Sequence, residues 1–235
     1  MTVLLDDVPE RAMAVYAHPA DAEIACGATL ARWAAAGCAI SLVVCARGDK
    51  GSHEPDAEPD HVAAARMTEV ADAAAALGIA RHEVLDHLDG EVANTAELRA
   101  ALVSRIRTWR PQAVLGHDPT AVFIGSGYVN HRDHREVGFA LVDAVAPAAA
   151  SPLYFPAAGD PYRVQTLLLS GTLEPDAWVE VEGHLDAKAA ALRCHRTQVA
   201  GSEEHLAALV QARASESQTQ TGVDLTEGFR RITLG

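Results

Sequence analysis

Short apolar runs alternate with longer segments of mixed polarity through the first part of the chain. The apolar runs predict buried strands at residues 12–17, 39–46 and 113–116, and a short strand beginning at 84–85. The segments between them predict helices at residues 23–36, 60–77, 95–109 and 133–146. A β-α-β-α order is typical of a mostly parallel sheet with helices on both faces. We therefore expect an α/β fold of the Rossmann-like, three-layer αβα type, forming a single domain over residues 1–235.

The pattern changes after Pro147, where prolines punctuate a long connection. The remaining residues predict strands at 164–169 and 177–181, helices at about 185–198 and 203–214, and a last strand at 228–234. Two loops, 47–59 and 117–130, are long for a compact domain, and long loops of this kind are usually functional. In the second loop, Gly125-Ser126-Gly127 lacks the third glycine of a dinucleotide fingerprint, so we interpret it as a flexible loop, with a lid over the pocket as one role open to it.

Composition and charge narrow the class of protein. Hydrophobic residues make up 49% of the chain and charged residues 22%, which are ordinary values for a globular protein. The formal net charge of −13 disfavours nucleic acids and anionic membranes as partners. No apolar run is long enough to span a membrane, the first residues lack the positive charge of a secretion signal, and the four cysteines form no CxxC pair. We therefore expect a cytoplasmic protein with reduced cysteines.

Polar clusters follow the predicted strands, at the sheet edge where parallel sheets bind ligands. The clusters are His18 to Glu23, His117 with Asp118, and Asn130 to His134. Among them, His18, Asp21 and His134 make a two-histidine, one-carboxylate set that is common at catalytic zinc, although such ligands also suit Fe²⁺ or Mn²⁺. The chain has 11 histidines, and an isolated histidine is more often a surface or core residue than a ligand. The prediction of a metal site therefore depends on the two histidine motifs occurring together.

Two of these clusters resemble the signatures of one enzyme family. The segment AHPADAE at residues 17–23 is similar to Ala-His-Pro-Asp-Asp-x-Glu, and His131, Asp133 and His134 match His-x-Asp-His. Both signatures belong to the LmbE-like (PIG-L) N-deacetylases, and the likeness extends over residues 12–233. The resemblance implies a Rossmann-like sheet and a zinc-dependent amidase that removes the acetyl group of an N-acetylglucosamine-type sugar or its conjugate. It also allows for a homo-oligomer.

The resemblance further assigns roles to residues of this chain. His18, Asp21 and His134 correspond to the zinc ligands. His131 corresponds to a protonated residue that stabilises the oxyanion or the departing amine, with Asp133 tuning it.

One position departs from the family signature. Ala20 occupies the place of an aspartate that acts as the general base and takes a proton from the attacking water. Because alanine accepts no proton, and a positioned base contributes on the order of 10²–10⁴-fold, we expect a chain that binds metal and substrate but turns over poorly. Either Ala20 was introduced to trap a substrate, or it is the natural residue. In the second case the protein is a binder, or it uses another base such as Glu23 or Asp49.

Other polar residues near the predicted site are candidates for substrate contacts. Arg47 and Asp49 lie in the loop after the second strand, and His195 lies on the helix predicted at 185–198. The alternatives are a solvated loop for the first two and a packing or capping role for the third. Two other functions stay open: a non-catalytic binder of an amino-sugar conjugate on the same scaffold, and a metal-free domain that binds a nucleotide.

Overall fold

The computed structural model describes residues 3–52, 54–199, 202–216 and 218–234, and is built around an eight-stranded sheet in the order β1-β9-β10-β8-β5-β2-β3-β4. The strands are β1 Val3–Leu4, β2 Arg11–Tyr16, β3 Ala39–Ala46, β4 Arg81–His87, β5 Ala113–His117, β6 Phe123–Ile124, β7 Tyr128–Val129, β8 Thr166–Ser170, β9 Ala177–Glu180 and β10 Thr226–Thr233. The helices are α1 Asp21–Ala35, α2 Pro59–Ala76, α3 Ala96–Trp109, α4 Arg132–Asp143, α5 Leu185–Cys194, α6 Glu203–Ser215 and α7 Gln218–Thr221. Strands β4, β3, β2, β5 and β8 are parallel, and β10 runs antiparallel to both β8 and β9.

Helices cover both faces of the sheet. Alternate residues of the central strand β2 enter two separate apolar clusters, as the two-residue period of a strand requires. Ala14 and Tyr16 pack on the face covered by α1, α2 and α5, where Trp33 is a large buried side chain. Met13 and Val15 pack on the opposite face, under α3 and α4. The predicted three-layer α/β fold is therefore confirmed.

Most predicted elements are present, and the differences have local causes. Strand β4 is longer than its apolar residues indicated, because it is an edge strand whose side chains are only half-buried. The loop predicted at residues 125–127 is the turn of an antiparallel hairpin formed by β6 and β7, two short strands that were not predicted. Helix α4 ends at Asp143, before the predicted 146, and a π-helical turn that contains Pro147 follows. Within the described ranges, none of the helices has the length and apolar character needed to cross a bilayer.

The parallel strands bring several polar side chains to one edge of the sheet. His18 follows β2, Asp49 follows β3, Asp89 follows β4, and His117 is the last residue of β5. Because the carboxyl ends of parallel strands lie at the same edge, these residues gather there although they are far apart in the chain. Helix α4 then adds His134 above them.

A buried arginine organises the long connection after α4. Arg107, on α3, is 4% exposed and its guanidinium donates hydrogen bonds to six backbone carbonyls. The acceptors are Ala148, Ala149, Ser151, Tyr154, Phe155 and Gly159. This segment therefore takes its shape from one side chain more than forty residues away.

Candidate metal centre

Three donor atoms converge at the carboxyl edge of the sheet. His18 Nδ1 lies 3.3 Å from Asp21 Oδ2 and 3.2 Å from His134 Nε2. The distance between His134 Nε2 and Asp21 Oδ2 is also 3.2 Å. Donors at about 2.0–2.1 Å from a tetrahedral zinc ion stand roughly 3.3–3.4 Å apart. The three atoms therefore fit one triangular face of a tetrahedron, with a fourth position left for water or substrate.

The other nitrogen of each imidazole in this triangle has its own partner. His134 Nδ1 lies 3.0 Å from Asn130 Oδ1, and Asn130 is held in turn by the carbonyl of Ala121. His18 Nε2 lies 3.2 Å from Asp89 Oδ1 and 3.3 Å from Asp133 Oδ2. Metal-binding histidines usually donate their second N–H to a carboxylate or carbonyl oxygen, which fixes the ring and its tautomer. The arrangement therefore presents His18 Nδ1 and His134 Nε2 as the free donors.

The carboxylates around His18 favour a positive charge on or beside its ring. Burial alone would lower the pKa of His18, but hydrogen bonds to Asp21 and Asp89 raise it to about 10. Three carboxylates, those of Asp21, Asp89 and Asp133, surround this one ring. A divalent ion bound by His18 and Asp21 would supply the positive charge that a proton supplies in its absence.

His117 stands beside the triangle without completing it. Its ring is stacked on that of His134, with centroids 4.1 Å apart and planes 10° from parallel. Its Nε2 lies 3.3 Å from Asp21 Oδ2 but also accepts the backbone N–H of Ala17 at 3.1 Å. Burial lowers the pKa of His117 to about 4, so the ring is neutral and its one acceptor nitrogen is used by Ala17. His117 therefore leaves the fourth position of the triangle open.

His131 and Asp133 are brought to the site, although not as a direct side-chain pair. His131 caps α4, and its Nδ1 accepts the backbone N–H of Asp133 at 3.1 Å. Its ring meets that of His18 edge-on, with centroids 4.6 Å apart. The carboxylate of Asp133 contacts His18 and accepts the N–H of Gly90. Asp133 therefore acts on His18 directly, and on His131 through the backbone and through its charge.

Ala20 has a left-handed backbone conformation at the start of α1. Its φ is 78°, and its side chain is 3% exposed. The two alternative bases have other neighbours. The carboxylate of Glu23 faces His195 at 3.5 Å, and Asp49 Oδ1 accepts the backbone N–H of Asp89.

The three predicted substrate contacts lie in different environments. Arg47 lies 3.8 Å from Asp49 and 3.5 Å from both Asp60 and Asp86, so it remains near the site at its charged rim. Asp49 is buried and supports Asp89. His195 is fully buried. Among the described residues neither of its ring nitrogens has a hydrogen-bond partner, and Nε2 lies 3.5 Å from Glu23 Oε2. The structure therefore does not bring His195 to an open surface.

A cavity of about 530 Å³ adjoins the donor triangle. Its lining includes Asp21, His117 and His134, together with Trp178, Lys188 and Glu227. This volume is within the range of about 300–1,000 Å³ that is typical of pockets for small molecules.

The profile of the family described as PIG-L, GlcNAc-PI de-N-acetylase, matches residues 13–145, more than half of the 235 residues. The chain belongs to the PIG-L family. The matched segment includes the three donors of the triangle, together with Ala20 and His131.

Individual relatives of this PIG-L chain include named deacetylases. It is 34% identical over 176 residues to a 1D-myo-inositol 2-acetamido-2-deoxy-alpha-D-glucopyranoside deacetylase 2 of Saccharopolyspora erythraea, covering 65% of this chain and 62% of that protein. It therefore spans less than two-thirds of that relative's length. It is 28% identical over 194 residues to a diacetylchitobiose deacetylase of Thermococcus kodakarensis, covering 80% of this chain and 70% of the relative.

Solved structures share the same fold. The N,N'-diacetylchitobiose deacetylase of Pyrococcus horikoshii superposes with a TM-score of 0.86 at 24% identity, covering 97% of this chain and 88% of that one. A conserved protein of Thermus thermophilus superposes with a TM-score of 0.75 at 28% identity, covering 93% and 92% of the two chains.

Sequence reasoning did not assign a role at this PIG-L site to three residues. Asp89 belongs to neither signature, although it stands two residues after the end of β4. Asn130 precedes the second histidine motif but belongs to neither signature. His117 was noted at a strand end without a role. In each case the available signal was the position at the carboxyl end of a strand or the start of a helix.

Proposed function

We propose that this chain is a zinc-dependent N-deacetylase for an N-acetylglucosamine-type sugar or its conjugate, impaired by Ala20. The observation that carries the proposal is the triangle of His18 Nδ1, Asp21 Oδ2 and His134 Nε2, with edges of 3.2–3.3 Å. The named deacetylases among its relatives support the substrate class. The donor set also suits Fe²⁺, so the choice of zinc is part of the proposal.

The reaction adds a water oxygen to the amide carbonyl carbon and breaks the carbon–nitrogen bond, giving acetate and a free amine. A divalent ion held by His18, Asp21 and His134 would supply Lewis-acid polarisation of the carbonyl and increase the acidity of water. His131 Nδ1 accepts a backbone N–H, so the neutral ring carries its proton on Nε2. From Nε2 the neutral ring would donate a hydrogen bond to the developing oxyanion. Transfer of a proton to the departing amine would need the protonated ring that the family resemblance implies, in which Nδ1 no longer accepts the N–H of Asp133.

The proton released by the attacking water has no acceptor at residue 20, because a methyl group accepts none. Glu23 is turned towards His195, and Asp49 is bound to the backbone of Asp89. We therefore expect the polarising part of the mechanism to be intact and the proton-accepting part to be missing. All four cysteines are unpaired, which suits action in a reducing cytosol.

The test compares acetate release by the zinc-loaded chain and by Ala20→Asp on N-acetylglucosamine, N,N'-diacetylchitobiose and an N-acetylglucosaminyl inositol. We expect the restored carboxylate to raise the rate by about 100-fold or more. A chelator should abolish that gain. Equal activity of both proteins would show that residue 20 is not the position of the base.

A non-catalytic binder on the same scaffold is the second candidate, and the absence of a carboxylate at Ala20 favours it. Calorimetric titration with the same three sugars separates the two functions. Binding by both proteins, with acetate released by neither, would support the binder. A zinc content that does not change on His134→Ala would contradict the metal site itself.

A further inference from the structure

Helix α1 is interrupted one turn after Asp21. Cys26 has φ −147° and ψ 24°, whereas a helical residue has about −63° and −42°. In an uninterrupted α-helix, the amide of residue 28 donates to the carbonyl of residue 24. Here the amide of Ala28 donates to Glu227 Oε1 at 3.2 Å, and the carbonyl of Ile24 accepts from Lys188 Nζ at 2.9 Å.

The two side chains at this break form an ion pair. Lys188 Nζ, from α5, lies 2.7 Å from Glu227 Oε1, from β10. The second oxygen of Glu227 accepts the amide of Thr29 at 2.7 Å. The side chains of Lys188 and Glu227 are only 8% and 6% exposed. The ion pair therefore stands between two backbone groups that would bond each other in a continuous helix.

Gly27 provides the space for this insertion. A Cβ atom at position 27 would lie 3.1 Å from Lys188 Cγ, which is a tight contact. Glycine is otherwise unfavourable in a helix interior, by roughly 1 kcal/mol relative to alanine. Its presence at the break therefore fits the close approach of the lysine stem.

A buried ion pair is often no more stabilising than apolar residues of the same volume. Stability alone is thus a weak reason for this arrangement. The break separates residues 21–25 from the rest of α1, and this first turn carries Asp21. Asp21 Oδ2 accepts the backbone N–H of His18 at 2.7 Å and forms two edges of the donor triangle.

We propose that Lys188 and Glu227 are positioning residues for the metal centre, because they hold the first turn of α1 in the direction that Asp21 requires. This inference rests on the proposed metal site. The pair acts through the backbone of residues 24, 28 and 29, and no hydrogen bond joins either side chain to His18, Asp21 or His134.

The test measures Co²⁺ and Zn²⁺ affinity, by competition with a chromophoric chelator, and the visible spectrum of the Co²⁺ form. The main variant combines Lys188→Met with Glu227→Gln, so that no unpaired charge is buried. We expect its metal affinity to fall by about 10- to 100-fold, the usual effect of losing a group that orients a ligand. Lys188→Arg keeps a donor for Ile24 and should largely retain the affinity and the cobalt spectrum.

The matched control combines Arg193→Met with Glu203→Gln, which removes a more exposed ion pair between α5 and α6. Its metal affinity should equal that of the unaltered chain. If the Lys188 and Glu227 double variant does not fold, Gly27→Ala provides the test, because it crowds Lys188 and adds no buried charge. We expect it to weaken metal binding although alanine favours the helix.

The outcomes separate this inference from the proposed function. An unaltered chain that binds no metal overturns both. A chain that binds metal normally, with a folded double variant of equal affinity, overturns only the positioning role. Unchanged affinity in Gly27→Ala, together with an unfolded double variant, also overturns it and leaves the ion pair a purely structural element.

Discussion

At Ala20 the backbone adopts a conformation that alanine disfavours. A left-handed φ, here 78°, costs a residue with a Cβ atom roughly 1–2 kcal/mol, and glycine is free of this cost. We expect Ala20→Gly to raise the free energy of unfolding by about 1 kcal/mol, measured by urea denaturation, without raising acetate release. A loss of stability in this variant would contradict the assigned strain. Aspartate adopts left-handed conformations more readily than alanine, so Ala20→Asp should also fold well.

The residues of the candidate metal centre differ in how clearly the sequence indicates them. His18, Asp21 and His134 were predicted because each stands in a short motif beside a strand end or helix start. Asp89 and His117 come from other strands, and only the parallel register of the sheet brings them to His18 and His134. The spacing of residues along the chain does not report such contacts. The structure was therefore needed to place Asp89 and His117 beside His18 and His134.

At the scale of elements, Gly138 allows α4 to approach β5 closely. A Cβ atom on Gly138 would lie 2.8 Å from the backbone carbonyl oxygen of His117. Because a backbone atom cannot move aside alone, Gly138→Ala should push α4, and with it His134, away from β5. We expect a loss of about 1–3 kcal/mol in unfolding free energy and weaker metal binding, measured by urea denaturation and chelator competition.

The control for this substitution is Phe139→Ala, since Phe139 is the next residue on α4 and is 45% exposed. It should leave metal affinity unchanged. Helix propensity alone would make Gly138→Ala stabilising, so the sign of the stability change decides between the two effects.

The connection after α4 depends on the hydrogen bonds of Arg107. Replacing Arg107 by methionine leaves six buried or half-buried carbonyls without their donor. We expect a loss of roughly 3 kcal/mol or more in unfolding free energy, with faster hydrogen exchange confined to residues 148–159. Arg107→Lys should recover little, because an ammonium offers fewer donors than the planar guanidinium. Uniform exchange across the molecule would argue against this local role.

Apolar periodicity could not predict several features of the helices and strands. Apolar periodicity predicted α1 as one helix. It does not report the break at Cys26, because the side chains that bond the free backbone groups there come from α5 and β10, far away in the sequence. The hairpin at 123–129 was missed since its strands have two residues each and exposed side chains. Strands β2, β3 and β5 were predicted closely because they are buried on both faces and therefore read as continuous apolar runs.

At the scale of the whole molecule, metal binding and folding should be linked. A ligand present at about 1,000 times its dissociation constant stabilises the folded state by roughly 4 kcal/mol. For a chain of this size that corresponds to a rise in Tm of about 10 °C. We expect this rise when Zn²⁺ is added to metal-depleted protein, measured by calorimetry. His134→Ala should abolish it, whereas His205→Ala, on the surface of α6, should retain it.

The eight-stranded sheet ends in β1 on one side and in β4 on the other. Within the part of the chain that the structure describes, β1 contributes two paired residues, and β4 carries Arg81, Glu83 and Asp86 along a half-exposed edge. Short or charged edges discourage the addition of another strand. Self-association by extending the sheet is therefore disfavoured at both ends, and the net charge of −13 opposes close approach of two copies in general. A pair of these molecules would meet through helices or through the exposed β6–β7 hairpin, leaving each sheet complete in itself.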